Sequence, residues 1–453
     1  MAEKHILLVT FPGQGHINPS LQFAKRLAKH GLKVTILTHA SATARMSSFL
    51  SLIDIISFST GPDDSSQNPP KFNQAITEHG TKAVEDAVAA KRAEGRPYAR
   101  IVFSLLVPWA GLAARRLGVP ATLLCIQPAI LFGVYFHYYN TPNSFNPSDQ
   151  VIELPGLPRL CPGDLPSFFL DTNPIVKDFG NKLLSGIFEV LDGEDERATV
   201  VVNTFDALEA EALRDLDKYK LVAIGPLIPS AFLDGSDPSD VAFGGDLIQK
   251  SDDYMEFLDS SERESVIYVA FGSNSELTWR QTKAIAEALV RIRRPFLWVV
   301  RGSEEREKLR CKEELLKRGR VVNWCNQVEV LSHRSVGCFV SHCGWNSTLE
   351  SVAAGVPVVA MAQAMDQVTN AKLVEDLWRC GVRAAKGEIV ESDEIVRCLE
   401  MVMDGGDESR EMRKMAKKWR DLARDAVEDG GSSQLNLKMF VHQIVGGDGQ
   451  PTI

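Results

Sequence analysis

Short apolar runs alternate with amphipathic stretches along the whole chain. In the first half, this pattern predicts strands at residues 5–11, 32–38, 99–103, 121–125 and 199–202. It also predicts helices at residues 19–30 and 109–117, with Asn18 as the N-cap of the first helix and Pro19 at its first position. Strands that alternate with helices form parallel sheets covered on both faces, so the pattern indicates an α/β fold.

The same alternation resumes in the second half after a break. There it predicts strands at 266–271, 296–300, 320–323, 336–341 and 356–360, and helices at 278–291, 348–354 and 433–445. Residues 138–173 are rich in Pro, Asn and Asp and are expected to form long loops, which are often functional.

The length of the chain predicts two domains. A chain of 453 residues exceeds what one core usually serves, and two domains of about 200 residues each are expected. Pro, Gly, Ser and Asp are concentrated between the two halves, as in a linker. We place an N-terminal domain, a linker, a C-terminal domain and a closing helical segment at residues 1–227, 228–252, 253–432 and 433–453.

Composition limits the possible partners and the compartment. The net charge of −9 argues against nucleic acid or an anionic membrane surface as the main partner. The least polar segments, 101–114 and 351–365, are short and interrupted by Pro or Gly, so no membrane-spanning helix is predicted. Residues 6–11 suit a first strand better than a signal peptide. The eight cysteines include no CxxC pair, which suits a reducing compartment, and we expect a cytoplasmic protein.

The first predicted strand ends in a glycine-containing turn that presents a histidine. Gly13 and Gly15 allow a tight turn, and His16 follows at the carboxyl end of the strand, where open α/β sheets bind ligands. Imidazole titrates at about pH 6.5, so His16 is a candidate general base, although a histidine that only hydrogen-bonds within the turn is equally compatible. Asn18 replaces the third glycine of a dinucleotide fingerprint and no acid ends the second strand, which disfavours a nicotinamide-dependent oxidoreductase.

A second turn, residues 342–347, has the sequence His-Cys-Gly-Trp-Asn-Ser. It closes one predicted strand and opens the next helix. Free backbone N–H groups and the helix dipole make such a turn an anion-binding site. Several polar side chains share this turn, so the predicted ligand is a phosphate group carried by a larger molecule.

Other candidate residues also follow predicted strands. Ser273 offers a hydroxyl, or simply ends an ordinary tight turn. Trp324 is able to stack on a planar base, or to pack in the core. Glu350, one helical turn beyond Asn346, is able to accept ribose hydroxyls, or to be a solvated helix residue. The pair 366–367, Asp-Gln, is able to bind sugar hydroxyls, or to cap a helix.

Two other chemistries find little support in these residues. His333, Cys338, His342 and Cys343 lack the paired spacing of a metal site, because His342 and Cys343 are adjacent. The chain also lacks the G-x-S-x-G motif of a serine hydrolase.

Residues 324–367 as a whole resemble the signature box of plant secondary-product UDP-glycosyltransferases. The resemblance rests on the segments 324–329, 342–351 and 366–367, and it extends to residues 13–19 and 271–273. It implies the GT-B fold, with two Rossmann-like domains whose parallel sheets face a central cleft and a C-terminal helix that crosses back onto the N-terminal domain.

The resemblance also implies where a UDP-sugar binds. The base and ribose would contact Trp324, Gln327 and Glu350, and the diphosphate would contact Ser273, His342, Asn346 and Ser347. The sugar would contact Asp366, Gln367 and the backbone of Trp345, and Cys325 and Gly344 would also belong to the UDP-sugar site. Gln367 is similar to glucose-using members, whereas a histidine there is associated with galactose, so UDP-glucose is the expected donor. No metal and no further cofactor are implied.

The chain departs from the family pattern at one catalytic position. The resemblance implies that His16 takes the proton of an acceptor hydroxyl while the oxygen displaces UDP with inversion. Most members orient this histidine with an Asp, and Ser104 occupies that position here. A hydroxyl orients an imidazole but stabilises its charged form less. Either another acid substitutes, or the acceptor is itself acidic, such as a phenol or a carboxylic acid.

The acceptor side resembles one branch of the family. Ser104 and the segments 126–129 and 153–158 are similar to the branch that contains anthocyanin 5-O-glucosyltransferases and glucose-ester-forming enzymes. Gln14 and Gln127 are expected to contact the acceptor. The resemblance thus implies an inverting glucosyltransferase of flavonoids, anthocyanins or phenolic and carboxylic acids, and we expect a monomer. The alternative is a catalytically weak homologue that binds UDP-sugar as a sensor or partner subunit.

Overall fold

A computed structural model describes residues 4–43, 46, 53–61, 69–141, 145, 151–194, 197–244, 254–273, 275, 277–310, 313–385, 387 and 389–446. The strands of its first half are β1 (His5–Val9), β2 (Lys33–His39), β3 (Ile53–Phe58), β4 (Tyr98–Ser104), β5 (Ala121–Cys125), β6 (Thr199–Val202) and β7 (Lys220–Ala223). Those of its second half are β8 (Val266–Ala270), β9 (Phe296–Val299), β10 (Gly319–Val322), β11 (Val336–Ser341), β12 (Val358–Ala360) and β13 (Gly381–Arg383).

Helices connect these strands. In the first half they are α1 (Gln14–Lys29), α2 (Ala40–Thr43), α3 (Pro69–Ala93), α4 (Pro108–Arg116), α5 (Ala129–Asn140), α6 (Ser167–Leu170), α7 (Pro174–Asp192) and α8 (Ala210–Arg214). In the second half they are α9 (Tyr254–Asp259), α10 (Trp279–Ile292), α11 (Ser303–Arg310), α12 (Glu313–Leu316), α13 (Gln327–Ser332), α14 (Trp345–Ala354), α15 (Gln367–Lys372), α16 (Ser392–Met403), α17 (Asp407–Val427) and α18 (Ser432–Gly446).

The strands form two parallel sheets, in the orders β3-β2-β1-β4-β5-β6-β7 and β10-β9-β8-β11-β12-β13. Strands such as β1, β5, β8 and β11 are buried along their whole length, because helices cover both faces of each sheet. The direction of winding reverses between β1 and β4 in the first sheet and between β8 and β11 in the second. Open α/β sheets bind ligands at the carboxyl ends of such strands, so the fold itself marks where a site is expected.

The start of α1 differs from the prediction. The helix begins at Gln14 rather than at Pro19, and its N-cap is Gly13, not Asn18. The Gly13 carbonyl accepts from the N–H groups of His16 and Ile17 at 2.9 and 3.0 Å. Pro19 lies inside the helix, so it cannot donate to the carbonyl four residues earlier, and a side chain of the other domain bonds that carbonyl instead.

The start of α14 also comes earlier than predicted, at Trp345 rather than Thr348. Gly344 is its N-cap, with no side-chain cap, and its carbonyl accepts from the N–H of Thr348 at 3.0 Å. Asn346 and Ser347 therefore lie within the first turn, where backbone N–H groups have no partner inside the helix.

Several other elements agree with the sequence, and some differ. Strand β11 has the predicted bounds, whereas β10 ends at Val322, two residues before Trp324. Within the predicted loop region, the described residues include the end of α5, a 3-10 turn at Pro162–Asp164 and α6, and α7 begins directly after it at Pro174. The predicted linker is described up to residue 244, while 245–252 lie outside the described residues.

The last helix packs on the first domain. The Asn436 amide of α18 donates to Asp206 at 3.2 Å and to the Ala223 carbonyl at 3.0 Å. The ring of Phe440 lies 6.1 Å from that of Phe23 on α1. Among the described helices, none combines the length and the apolar character that crossing a membrane requires.

Candidate active site

A cleft of about 360 Å³ lies between the carboxyl ends of the two sheets. Sixteen site residues were named from the sequence, and fifteen of them line this cleft. The other one, Ser104, lies behind His16 and is fully buried. The fifteen that line the cleft are Gln14, His16, Gln127, Ser273, Trp324, Cys325, Gln327, His342, Gly344, Trp345, Asn346, Ser347, Glu350, Asp366 and Gln367. The fold therefore brings the two halves of the predicted site to one place.

His16 lies in the first turn of α1, on the N-terminal side of the cleft. Its Nδ1 is 3.4 Å from the Ser104 hydroxyl, and its ring meets that of Phe11 edge-on at 5.6 Å. Burial lowers the pKa of His16 to about 4, and no charged group among the described residues contributes to this shift. The imidazole is therefore neutral at pH 7 and able to accept a proton.

Ser104, at the end of β4, belongs to a chain of hydroxyls. Its Oγ accepts from the backbone N–H of Phe11 at 3.4 Å and from the Thr10 hydroxyl at 3.5 Å, and Thr10 accepts from Ser20 at 3.0 Å. A neutral chain of this kind orients the imidazole of His16, but it carries no negative charge to stabilise an imidazolium.

The N-terminus of α14 faces the cleft from the C-terminal domain. The ring of His342 lies between Gly272 and Gly344, and a Cβ on either glycine would approach its Nε2 to 2.7 or 2.6 Å. Burial and the nearby Arg301 lower the pKa of His342 to about 4, and its Nδ1 has no hydrogen-bond partner among the described residues. Since Cys343 adopts a φ of 61°, the turn is held in a conformation that side chains rarely adopt.

A polar network occupies the opposite end of this half of the cleft. The Gln327 amide donates to the Ser347 hydroxyl at 2.8 Å and to the Glu350 carboxylate at 2.6 Å. Its oxygen accepts from the Tyr268 hydroxyl at 3.2 Å. Glu350 is buried rather than solvated, and burial raises its pKa to about 7. Trp324 is half-buried beside this network.

Asp366 joins the two domains at the remaining end of the cleft. Its carboxylate accepts from Asn370 at 2.9 Å, from the backbone N–H of Trp345 and from the side chain of Gln127. Burial raises the pKa of Asp366 to about 6. The side chain does not cap α15, contrary to the alternative drawn from the sequence. Gln127 also accepts from the Tyr135 hydroxyl at 2.9 Å, so the predicted acceptor and sugar residues are in contact.

Trp345 and Gln367 hold the shape of the site through their own contacts. The Trp345 indole is buried and donates to the Asn203 carbonyl of the N-terminal domain at 2.8 Å. Only its backbone is therefore available to a ligand. The Gln367 oxygen accepts from the N–H groups of Gln363 and Ala364 at 2.8 and 3.1 Å, which closes the turn before α15.

Sequence reasoning missed three residues that support the site. Tyr268 contacts Gln327 from within a strand that the pattern assigns to the core. Asn370 donates to the Cys343 carbonyl at 2.9 Å and thereby supports the strained turn. Arg301 donates to the Ser273 carbonyl. Position after strand β9 was a usable signal for Arg301, and the four-residue spacing from Asp366 was one for Asn370.

Comparisons with known proteins agree with this geometry. A family model described as UDP-glucoronosyl and UDP-glucosyl transferase matches residues 240–421. UDP-glycosyltransferase 75C1 of Solanum lycopersicum is 49% identical, with 98% of this chain and 99% of the relative covered. An anthocyanidin 3-O-glucoside 5-O-glucosyltransferase of Verbena hybrida is 48% identical, with 98% and 100% covered.

A solved structure shows the same arrangement of domains. The crystal structure of Os79 from O. sativa in complex with UDP has a TM-score of 0.87 and 32% identity, with 97% of this chain and 100% of that chain covered. The GT-B fold predicted from the sequence is confirmed. With relatives of this identity over nearly the whole chain, the protein belongs to the UDP-glucoronosyl and UDP-glucosyl transferase family and is a UDP-glycosyltransferase.

Proposed function

We propose that this protein is an inverting glucosyltransferase that transfers glucose from UDP-glucose to an acidic hydroxyl or carboxyl group of a small plant metabolite. The observation that carries the proposal is the pairing of His16 with the hydroxyl of Ser104, 3.4 Å away, in a cleft shared with the donor residues. The similarity to the Verbena hybrida enzyme supports flavonoids and anthocyanins as acceptors, and phenolic and carboxylic acids satisfy the same chemistry.

The donor would extend along the C-terminal wall of the cleft. Uracil would stack on Trp324, and the ribose hydroxyls would donate to the Glu350 carboxylate. The diphosphate would meet the N-terminus of α14, together with His342 and Asn346, where N–H groups and the helix dipole favour an anion. These groups would offset the charge of the departing UDP, so the proposal includes neither a metal nor another cofactor.

Transfer would occur in one displacement. The acceptor oxygen attacks the anomeric carbon of glucose while the bond from that carbon to the diphosphate oxygen breaks. The proton of a hydroxyl acceptor passes to the neutral imidazole of His16, whereas a carboxylate acceptor has no proton to give, and in both cases UDP leaves with the bonding electrons. Attack from the side opposite UDP inverts the configuration, so an α-linked donor gives a β-glucoside or a β-glucose ester. Asp366 and Gln367 would bind sugar hydroxyls and hold the ring in line.

The acceptor class follows from the support that His16 receives. The hydroxyl chain through Ser104 leaves an imidazolium without a carboxylate partner, which makes full proton transfer from an ordinary alcohol costly. A phenol releases its proton more readily, and a carboxylic acid is already ionised at pH 7. Such acceptors need less from the base.

The test is release of UDP from UDP-glucose with a panel of phenols, carboxylic acids and aliphatic alcohols of graded acidity. Turnover is expected with the acidic acceptors, with UDP-glucose preferred over UDP-galactose. The matched variant His16→Ala is expected to lose most activity with phenols. Full activity of that variant would refute the general base, and faster turnover of aliphatic alcohols than of phenols would refute the acceptor class. Binding of UDP-glucose without turnover of any acceptor would favour the sensor.

We further infer a monomer in a reducing compartment, with the cytoplasm as the first candidate. Seven cysteines in the described residues are free thiols, and six of them are buried. A persistent single-chain mass in solution, without a reductant-dependent change, is the expected result.

A further inference from the structure

One backbone carbonyl in the first turn of α1 lacks its usual helical partner. In an α-helix the N–H of residue 19 would donate to the carbonyl of residue 15, but Pro19 has no N–H. The proline ring also crowds that carbonyl and favours its tilt away from the helix axis. The Gly15 carbonyl is therefore directed outward, one residue before His16.

The C-terminal domain supplies the missing donor. The side-chain amide of Asn346 donates to the Gly15 carbonyl at 2.8 Å. Gly15 has no side chain, and the position where a Cβ would stand is 3.7 Å from the Asn346 nitrogen, which is an ordinary van der Waals contact. The bond joins the helix that carries His16 to the helix whose N-terminus faces the cleft.

The amide of Asn346 has a second N–H group. No other hydrogen bond of this side chain occurs within the described part of the chain, and the residue lines the cleft. An amide nitrogen donates two hydrogen bonds at once, so one N–H is able to hold Gly15 while the other meets an anion. Fixing the amide in advance removes part of the side-chain entropy cost of binding that anion.

We propose that Pro19 is a positioning residue: by freeing the Gly15 carbonyl, it fixes the Asn346 amide for the donor diphosphate and ties that amide to the helix of His16. The inference rests on the proposed UDP-sugar site. It assigns to Pro19, which touches neither reacting group, a role in donor affinity.

The test is the affinity for UDP, measured by calorimetry on the full chain of the wild type, Pro19→Ala, Asn346→Ala and the double variant. An alanine at 19 supplies an N–H that draws the Gly15 carbonyl back into the helix, so Pro19→Ala is expected to bind UDP about 2- to 10-fold more weakly, the worth of one neutral hydrogen bond. Adding Pro19→Ala to Asn346→Ala is expected to cause no further loss, because the amide through which it acts is gone.

Thermal unfolding distinguishes a specific effect of Pro19→Ala on UDP binding from a general loss of fold stability. Alanine is a better helix former than proline, so Pro19→Ala is expected to keep or raise the unfolding midpoint while it weakens UDP binding. Lys29→Ala, an exposed change in the last turn of the same helix, is the matched control and should leave UDP affinity unchanged. Unchanged UDP affinity in Pro19→Ala, additive losses in the double variant, or a lowered midpoint would each overturn the proposal. Wild-type protein that binds UDP but turns over no acceptor would overturn the proposed transfer and leave this test intact.

Discussion

Replacing Ser104 with aspartate should convert the neutral support of His16 into a charged one. The Ser104 hydroxyl is fully buried and 3.4 Å from the imidazole. A carboxylate there would receive the backbone N–H of Phe11 and the hydroxyl of Thr10, which already donate to this position. The substitution therefore places a hydrogen-bonded acid beside the base.

The size of the effect follows from that distance. Opposite charges about 4 Å apart attract by about 4 kcal/mol at an effective dielectric constant of about 20. At about 1.4 kcal/mol per pKa unit this would raise the pKa of His16 by about three units, less the cost of burying the carboxylate. From its value of about 4, the pKa of His16 should rise to between about 5 and 7.

The assay is the rate of UDP release as a function of pH. Only neutral His16 accepts a proton, so activity falls as pH drops through the pKa of His16. In the wild type, this acidic limb of the pH profile should therefore lie near pH 4. Ser104→Asp should shift the limb to higher pH by one to three units. Because the imidazolium is stabilised during transfer, the variant should also turn over weakly acidic acceptors faster, by about 10- to 100-fold.

Ser104→Asn is the matched control, since the asparagine side chain has nearly the same shape as aspartate but no charge. It should leave the pH limb where the wild type has it. A limb that does not move in Ser104→Asp, or that moves equally in both variants, would refute electrostatic control of His16 from this position.

Three further predictions concern binding and stability. Burial raises the pKa of Glu350 to about 7, and the proposed ribose contact needs its ionised carboxylate, so UDP should bind more tightly as pH rises from 6 to 8. In calorimetric titrations, Glu350→Gln should weaken UDP binding and abolish this pH dependence. The buried carboxylate of Glu209 accepts hydrogen bonds from two N–H groups at the start of α5, at 2.9 and 3.0 Å. Glu209→Ala should therefore lower the free energy of unfolding by about 1–3 kcal/mol in denaturant titrations. An unchanged midpoint would contradict a stabilising role of this carboxylate. Gly272→Ala would place a Cβ 2.7 Å from His342 at a φ of 71°, so UDP binding should fall at least about tenfold in the same calorimetric assay, with wild-type affinity as the contrary result.

The sequence predicts best those elements whose ends are determined by adjacent residues of the chain. Strand β11 has the predicted limits because its apolar run stops at the polar turn that follows it. The starts of α1 and α14 were missed for one shared reason. Both helices have a glycine N-cap and no side-chain cap, so the expected capping residue is absent. The Gly15 carbonyl, which Pro19 leaves without a helical donor, accepts from Asn346, more than three hundred residues later in the chain, and no local rule predicts that contact.

In the candidate site, too, some residues are predictable from the local sequence and others depend on contacts between distant parts of the chain. Residues in the turns and helix starts that follow strands, such as His16 and His342, are predicted by the rule that parallel sheets bind ligands at that edge. Tyr268 lies within a strand, and its hydroxyl becomes part of the site only because Gln327 lies over it. The contact of Gln127 with Asp366 arises from the way the two domains meet, which the sequence of either domain does not specify.

The return of α18 to the first domain decides how this enzyme should be divided for recombination with its relatives. Since Asn436 and Phe440 contact Asp206, Ala223 and Phe23, the first domain is assembled from two separate stretches of the chain, and the second lies between them as an insertion. A hybrid made with one junction near the linker would pair the last helix with a foreign surface. A hybrid with two junctions, which exchanges the donor-binding insertion and keeps residues 432–446 with their own partner, preserves those contacts and should give folded chimeras more often.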